Sequence, residues 1–134
     1  LGVPVVYYFG NSFLDPKLTV LEISPSVTIY SENSSAFGGG TISQKPLYQV
    51  EAHLSRNITR AMFLSLDGLW INGGKTRNNG VSNDDKQNSF SLGASIGLNL
   101  SRSTSIKVSY GKVVNRNSNG ADGDMVRIIL SKSF

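Results

Sequence analysis

The chain has 134 residues, a formal net charge of +4, no cysteine and a single histidine, His53. A disulfide framework and thiolate or histidine-cluster metal sites are excluded, no cofactor is implied, and no run of about five or six like charges marks a nucleic-acid footprint. No window approaches roughly 18 uninterrupted apolar residues, so a helical membrane span is excluded as well.

Residues 2–10, "GVPVVYYFG", read as a strand whose facing the sequence leaves unset. Residues 18–31 alternate, with Leu21, Ile23, Val27 and Ile29 on one face and Glu22, Ser24, Ser26 and Thr28 on the other. Residues 47–56 place Tyr48, Val50, Ala52 and Leu54 against Gln49, Glu51, His53 and Ser55, and 61–71 place Met62, Leu64, Leu66 and Trp70 against Ser65 and Asp67. The clearest run is 89–101, where Phe90, Leu92, Ala94, Ile96, Leu98 and Leu100 oppose Ser91, Gly93, Ser95, Gly97, Asn99 and Ser101. Residues 105–113 (Ile106, Val108, Tyr110 against Lys107, Ser109, Gly111) and 124–134 (Val126, Ile128, Leu130, Phe134 against Arg127, Ser131, Ser133) complete about seven strands with no helix.

The connections are of two kinds. "RNITR" (56–60) and "SRSTS" (101–105) are tight, and 10–17 is the remaining shorter link, whereas 33–46, 73–86 and 115–123 are long and rich in Asn, Gly and Ser, as mobile surface loops are. Short and long alternate along the chain, so all long loops lie at one end of the strands. Matching the polar faces of neighbouring strands requires an odd-length hairpin, which predicts three- or five-residue loops at Ile58–Arg60 or Asn57–Thr59 and at Arg102–Thr104.

Two architectures produce this alternation: a soluble lipocalin-like barrel with its apolar face inward around an apolar ligand, or a transmembrane barrel with that face outward to lipid. Glu22, Glu51, His53, Asp67, Lys107 and Arg127 lie near strand middles on the polar face, as in a wet lumen. Tyr48, Trp70, Phe90, Tyr110 and Phe134 lie near strand ends on the apolar face, as in an interfacial girdle. With the loop asymmetry, these favour an all-β, antiparallel up-and-down transmembrane β-barrel. Single-chain bacterial barrels have even strand numbers from about 8 upward, so seven strands predict a single β-barrel domain over 1–134 that is the C-terminal portion of a larger barrel. The chain opens on Leu1 with no basic-then-apolar leader, so the expectation is that a targeting signal was removed or that the chain is a fragment.

At "LDGLWINGGKTRNNG" (66–80) and "SIKVSYGKVVNRNSNGADGDM" (105–125) the sequence resembles the phenol-degradation MetA-pathway family of Gram-negative outer-membrane proteins. The features shared are a strand ending in Trp70, Gly73, Gly74 and Thr76 opening the loop, Asn79-Gly80 beyond it, and an Asn/Gly/Asp loop before the last strand. The resemblance covers about the last 90 residues. It implies localisation in the bacterial outer membrane, contact with membrane lipid and the outer-membrane assembly machinery, and passage of a small-molecule solute that is hydrophobic or aromatic. It supplies no catalytic residues and no oligomeric state. The end of the chain departs from the outer-membrane closing signature at Lys132, while Leu130 and Ile128 keep it.

Other motifs carry less. "GGKT" lacks the upstream glycine of a phosphate-binding loop, since position 69 is Leu, and no helix follows it. "NRNSNGADGD" begins like a calcium loop but has Val126 where a bidentate Glu is needed, which leaves a solvated loop. Asn33, Asn57 and Asn99 open glycosylation triplets that a bacterial barrel does not use. His53 and Ser55 share a face, which raises a β-barrel lipid hydrolase with Asp67 or Glu51 orienting the base, yet no oxyanion-hole motif accompanies them. Parity places Glu51 opposite Asp67 or Ser65. A Glu51/Asp67 pair could be neutralised by Lys107 or Arg127, giving either a charged constriction or a salt-bridged plug.

Overall fold

The computed structural model describes residues 1–11, 15–36 and 39–133, and among them no helix forms. The strands are β1 (Val5–Phe9), β2 (Thr19–Thr28), β3 (Asn33–Ala36), β4 (Gly40–Gln44), β5 (Leu47–Asn57), β6 (Met62–Gly73), β7 (Thr76–Asn78), β8 (Val81–Ser82), β9 (Gln87–Asn99), β10 (Thr104–Arg116) and β11 (Asp124–Lys132). Seven of them form an open antiparallel sheet in the order β1-β2-β5-β6-β9-β10-β11. The other four form a second sheet, β3-β4-β7-β8.

Register follows side-chain alternation. Glu22 lies opposite His53, His53 opposite Asp67, Asp67 opposite Gly93, and Ser109 between Ser95 and Arg127, so one face is polar across six strands. The short hairpins close as parity requires. The Ile58 N–H donates to the Met62 carbonyl (2.9 Å) and the Leu100 N–H to the Thr104 carbonyl (2.9 Å), leaving three residues in each loop. Those loops are 59–61 and 101–103, each displaced by one residue or more from its expected position. Pro4 has no N–H to give, and the β1/β2 ladder ends at Val5 opposite Ile23, with only a Gly2–Ser26 bridge beyond it.

Burial is inverted relative to a soluble barrel. Ser65 (6% exposed) and Ser95 (5%) are buried on the polar face, while Leu66 (63%), Ile128 (67%) and Leu130 (69%) stand open on the apolar face. Among the described residues no large side chain is completely buried. A soluble barrel would leave water on some of the most hydrophobic surface in the chain, whereas in a bilayer that surface meets hydrocarbon. The apolar-inward alternative is thereby overturned.

Contrary to the composition-based expectation, the described residues of the long connections 33–46 and 73–86 contain the strands β3, β4, β7 and β8. β4 continues β5 and β7 continues β6 in unchanged register: Leu47 faces Gly73 and Gln44 faces Thr76. The junction is bridged by Lys45 N–H to Lys75 carbonyl (2.8 Å) and Gly74 N–H to Pro46 carbonyl (3.0 Å). The hairpins of the wall therefore project beyond it as a tier. Alternation is weak there because both faces of the tier are polar, so composition alone reads as loop.

Candidate functional site

The polar face converges on Asp67. Its carboxylate accepts from His53 Nδ1 (2.7 Å) and Ser65 Oγ (2.7 Å) on Oδ1, and from Ser95 Oγ (2.9 Å) on Oδ2. A carboxylate can only accept, which fixes the proton of a neutral His53 on Nδ1. Ser95 Oγ and Ser109 Oγ are 2.9 Å apart. With the one Ser95 proton directed at the carboxylate, Ser109 is the donor to Ser95. The other imidazole nitrogen, Nε2, faces Glu51 Oε2 at 3.7 Å. One polar chain of five residues thus crosses four strands: Ser109, Ser95, Asp67, and His53 with Glu51.

The Glu51/Asp67 pairing expected from parity is not formed. Glu51 lies opposite Leu69 and Ser24, because the hairpin closes at 59–61 and shifts every pair below it. His53, not a cation from β10 or β11, meets Asp67. Among the described residues no carboxylate lies within 4.0 Å of Lys107 or Arg127, so the salt-bridged plug is not built from them. Glu22 faces His53 in register and accepts from Ser24 Oγ at 3.4 Å. His53 directs its nitrogens at the two carboxylates, and among the described residues no hydrogen bond joins it to Ser55, so the serine–histidine arrangement of a hydrolase is absent from the described geometry.

Glu51, His53, Asp67, Lys107 and Arg127 line one groove of about 500 Å³. Its floor is Gly93 opposite Gly111. A Cβ on Gly93 would lie 2.8 Å from the Tyr110 carbonyl oxygen, so only glycine allows that approach. Phe63, on the polar face near the short-turn end, lies over Gly97, where a Cβ would come within 2.0 Å of its ring. Sequence reading did not single out Ser95, Ser109, Gly93 or Phe63. The available signal was their odd numbering on strands whose odd face was already read as polar.

On the apolar face, Trp70 and Phe90 form a directly opposed pair and Tyr48 is one position from the start of β5, all toward the long-loop end. Tyr110 departs from the expected girdle: it is at the midpoint of β10, opposite Ala94 and Val126, because β10 runs on to Arg116. Phe134 lies outside the described residues.

The Asn- and Gly-rich segments are structural. Gly73 (φ 119°) and Gly74 (φ 72°) form the joint between β6 and β7, and a Cβ on Gly73 would meet the Pro46 carbonyl oxygen at 2.3 Å. Asn79 (φ 48°) and Gly80 (φ 80°) make a tight turn with both residues left-handed. Asn117 Nδ2 donates to the Lys86 carbonyl (2.6 Å), its Oδ1 accepts from the Asn88 N–H (3.0 Å), and Asn119 Nδ2 donates to the Asp84 carbonyl (2.7 Å). The calcium-loop resemblance of this segment is thus a staple between two loops. Outside the membrane-spanning strands, the Thr76 hydroxyl and N–H hold the Asp85 carboxyl below its ordinary value, and Arg116 does the same for Asp122.

The family model described as "Putative MetA-pathway of phenol degradation" matches residues 2–128, a span that begins well upstream of the stretches that carry the resemblance. A search of curated proteins finds no match. Among solved structures, the COG4313 outer membrane channel from Pseudomonas putida F1 is similar, with a TM-score of 0.69 at 12% identity, over 96% of this chain and 46% of that one. The chain thus spans about half the length of that neighbour.

Proposed function

The chain belongs to the MetA-pathway of phenol degradation family, and from that premise we propose that it forms part of the wall of an outer-membrane channel for small hydrophobic or aromatic compounds. The observation that carries this reading is the inverted sheet: an apolar face open to lipid, and behind it a polar face with a charged groove. The groove supplies the path and the Asp67 network keeps its wall hydrated.

A larger barrel is supported by strand direction. β1 and β11 are the first and last of seven antiparallel strands and run the same way, so antiparallel closure needs an odd number of further strands between them. Val126, Ile128 and Leu130 on β11 supply the alternating apolar edge that outer-membrane assembly machinery would engage. The test is reconstitution of the full-length protein in planar bilayers, where discrete ion-conducting steps are expected. A protein that is monodisperse without detergent and conducts nothing would sink the reading.

A further inference from the structure

The charges of the polar face sort by sign across the sheet. Glu22 on β2, Glu51 on β5 and Asp67 on β6 form one side, and Lys107 on β10 and Arg127 on β11 form the other, while Lys112, Asp124 and the Arg116-paired Asp122 line the groove at its long-loop end, outside this ordering. Between them β9 presents only uncharged residues to that face, from Gln87 to Asn99. The two sides do not neutralise each other, since no carboxylate among the described residues lies within 4.0 Å of either cation. β5, which carries Glu51, and β10, which carries Lys107, are three strand spacings apart, about 14 Å between backbones, and the two long side chains reach inward from each side.

The acidic side is itself divided. Asp67 already accepts three hydrogen bonds, while Glu51 is half exposed and, among the described residues, has only His53 Nε2 nearby, at 3.7 Å. Glu51 is therefore the acceptor available to a solute. The floor between the two sides is the Gly93–Gly111 pair, flat for want of side chains, with Leu69 and Met125 beside it in the groove. Such a surface suits the face of a ring.

We propose that the groove binds a small aromatic carboxylate bearing a hydroxyl on the opposite side of its ring. The carboxylate lies against Lys107 and Arg127, the ring covers Gly93 and Gly111, and the hydroxyl donates to Glu51. A solute with an anion at one end and a donor at the other is stabilised by both sides in a single orientation. A neutral phenol engages only the acidic side, and an aromatic acid without the hydroxyl only the basic side. The assignment rests on the channel reading and names its solute class.

The test is block of KCl current through the full-length protein in planar bilayers by 4-hydroxybenzoate, benzoate or phenol, with equilibrium binding to the detergent-solubilised protein in parallel. The half-blocking concentration of 4-hydroxybenzoate is expected to be at least about five-fold below those of the other two. In the K107Q/R127Q double variant its advantage over phenol disappears, and in E51Q its advantage over benzoate disappears. Heat-modifiable gel mobility reports that each variant is folded. Equal block by all three compounds, or unchanged ratios in the folded variants, would overturn the solute class while leaving the channel. Absence of any wild-type current would overturn the channel reading instead. In that case, binding of 4-hydroxybenzoate that K107Q/R127Q abolishes would still uphold the groove assignment, and no binding would remove it.

Discussion

The seven-stranded wall and the four-stranded tier beyond it share hairpins, yet different forces hold them. In the wall, ladders of up to twelve pairs carry an exposed apolar face, and the bilayer is the partner that buries it. The tier strands are two to five residues long, and side-chain caps fix them: Asn79 Oδ1 accepts from the Thr41 N–H at 2.8 Å, Asp85 binds Thr76, and Asn117 staples the neighbouring loop. A long amphipathic strand needs a solvent that matches its faces. A short polar one needs a particular side chain at each turn.

The largest effect that tests this contrast is a charge on the apolar face of the wall. Leu66→Arg is expected to destabilise the folded barrel by about 2–4 kcal/mol, measured by urea titration of refolding into lipid vesicles. The same charge on the polar face, in Ser91→Arg, is expected to cost under about 1 kcal/mol, since that side is wet. Equal costs would mean that the faces are assigned the wrong way round.

A smaller effect should appear at the joint between the regions. Gly73→Ala puts a Cβ at a φ of 119° and against the Pro46 carbonyl. We expect a loss of about 1–3 kcal/mol, confined to the tier. Amide exchange at Thr76 and Lys45 should accelerate while Ser95 keeps its protection. Acceleration at Ser95 as well would show that wall and tier open together.

These predictions track what the sequence makes legible. Strict alternation at 89–101 identified β9 and its facing, because every second side chain there meets a different medium. Parity identified odd hairpin loops but not their position, and one hairpin offset was enough to replace a Glu51/Asp67 pair by His53/Asp67. Lumenal charges were visible as residues on a face. Their partners were not, since whether Ser95 or Lys107 meets Asp67 depends on contacts between strands far apart in sequence. The tier was hidden for a different reason: 73–86 contains Asn79-Gly80, a strong turn signal, but its flanks are polar on both faces and show no period.

Removing one staple should be felt still less. Asn117→Ala takes away the bonds to Lys86 and Asn88 and is expected to cost about 0.5–1.5 kcal/mol, seen as faster exchange at the Asn88 N–H. Wall amides and ion conductance should stay unchanged, and loss of conductance would tie the loops to the path itself.

The smallest expected effect is a pH dependence restricted to the tier. The Thr76 hydroxyl and N–H hold the Asp85 carboxyl below its ordinary value of 3.8. A carboxylate depressed in the folded state lends its stabilisation above the unfolded value and loses it as pH falls through the lower folded one. The Thr76 amide should therefore keep its protection from neutral pH down to about 4 and lose it below that, while Ser95 in the wall is unaffected over the same interval. Asp122 on the neighbouring loop, depressed by Arg116 at the end of β10, titrates in the same direction, so the Thr76 amide is the probe that isolates Asp85. Asp85→Asn should abolish the transition at Thr76 and leave the Asp122 loop titrating. A transition that survives Asp85→Asn would mean that some other group caps this turn.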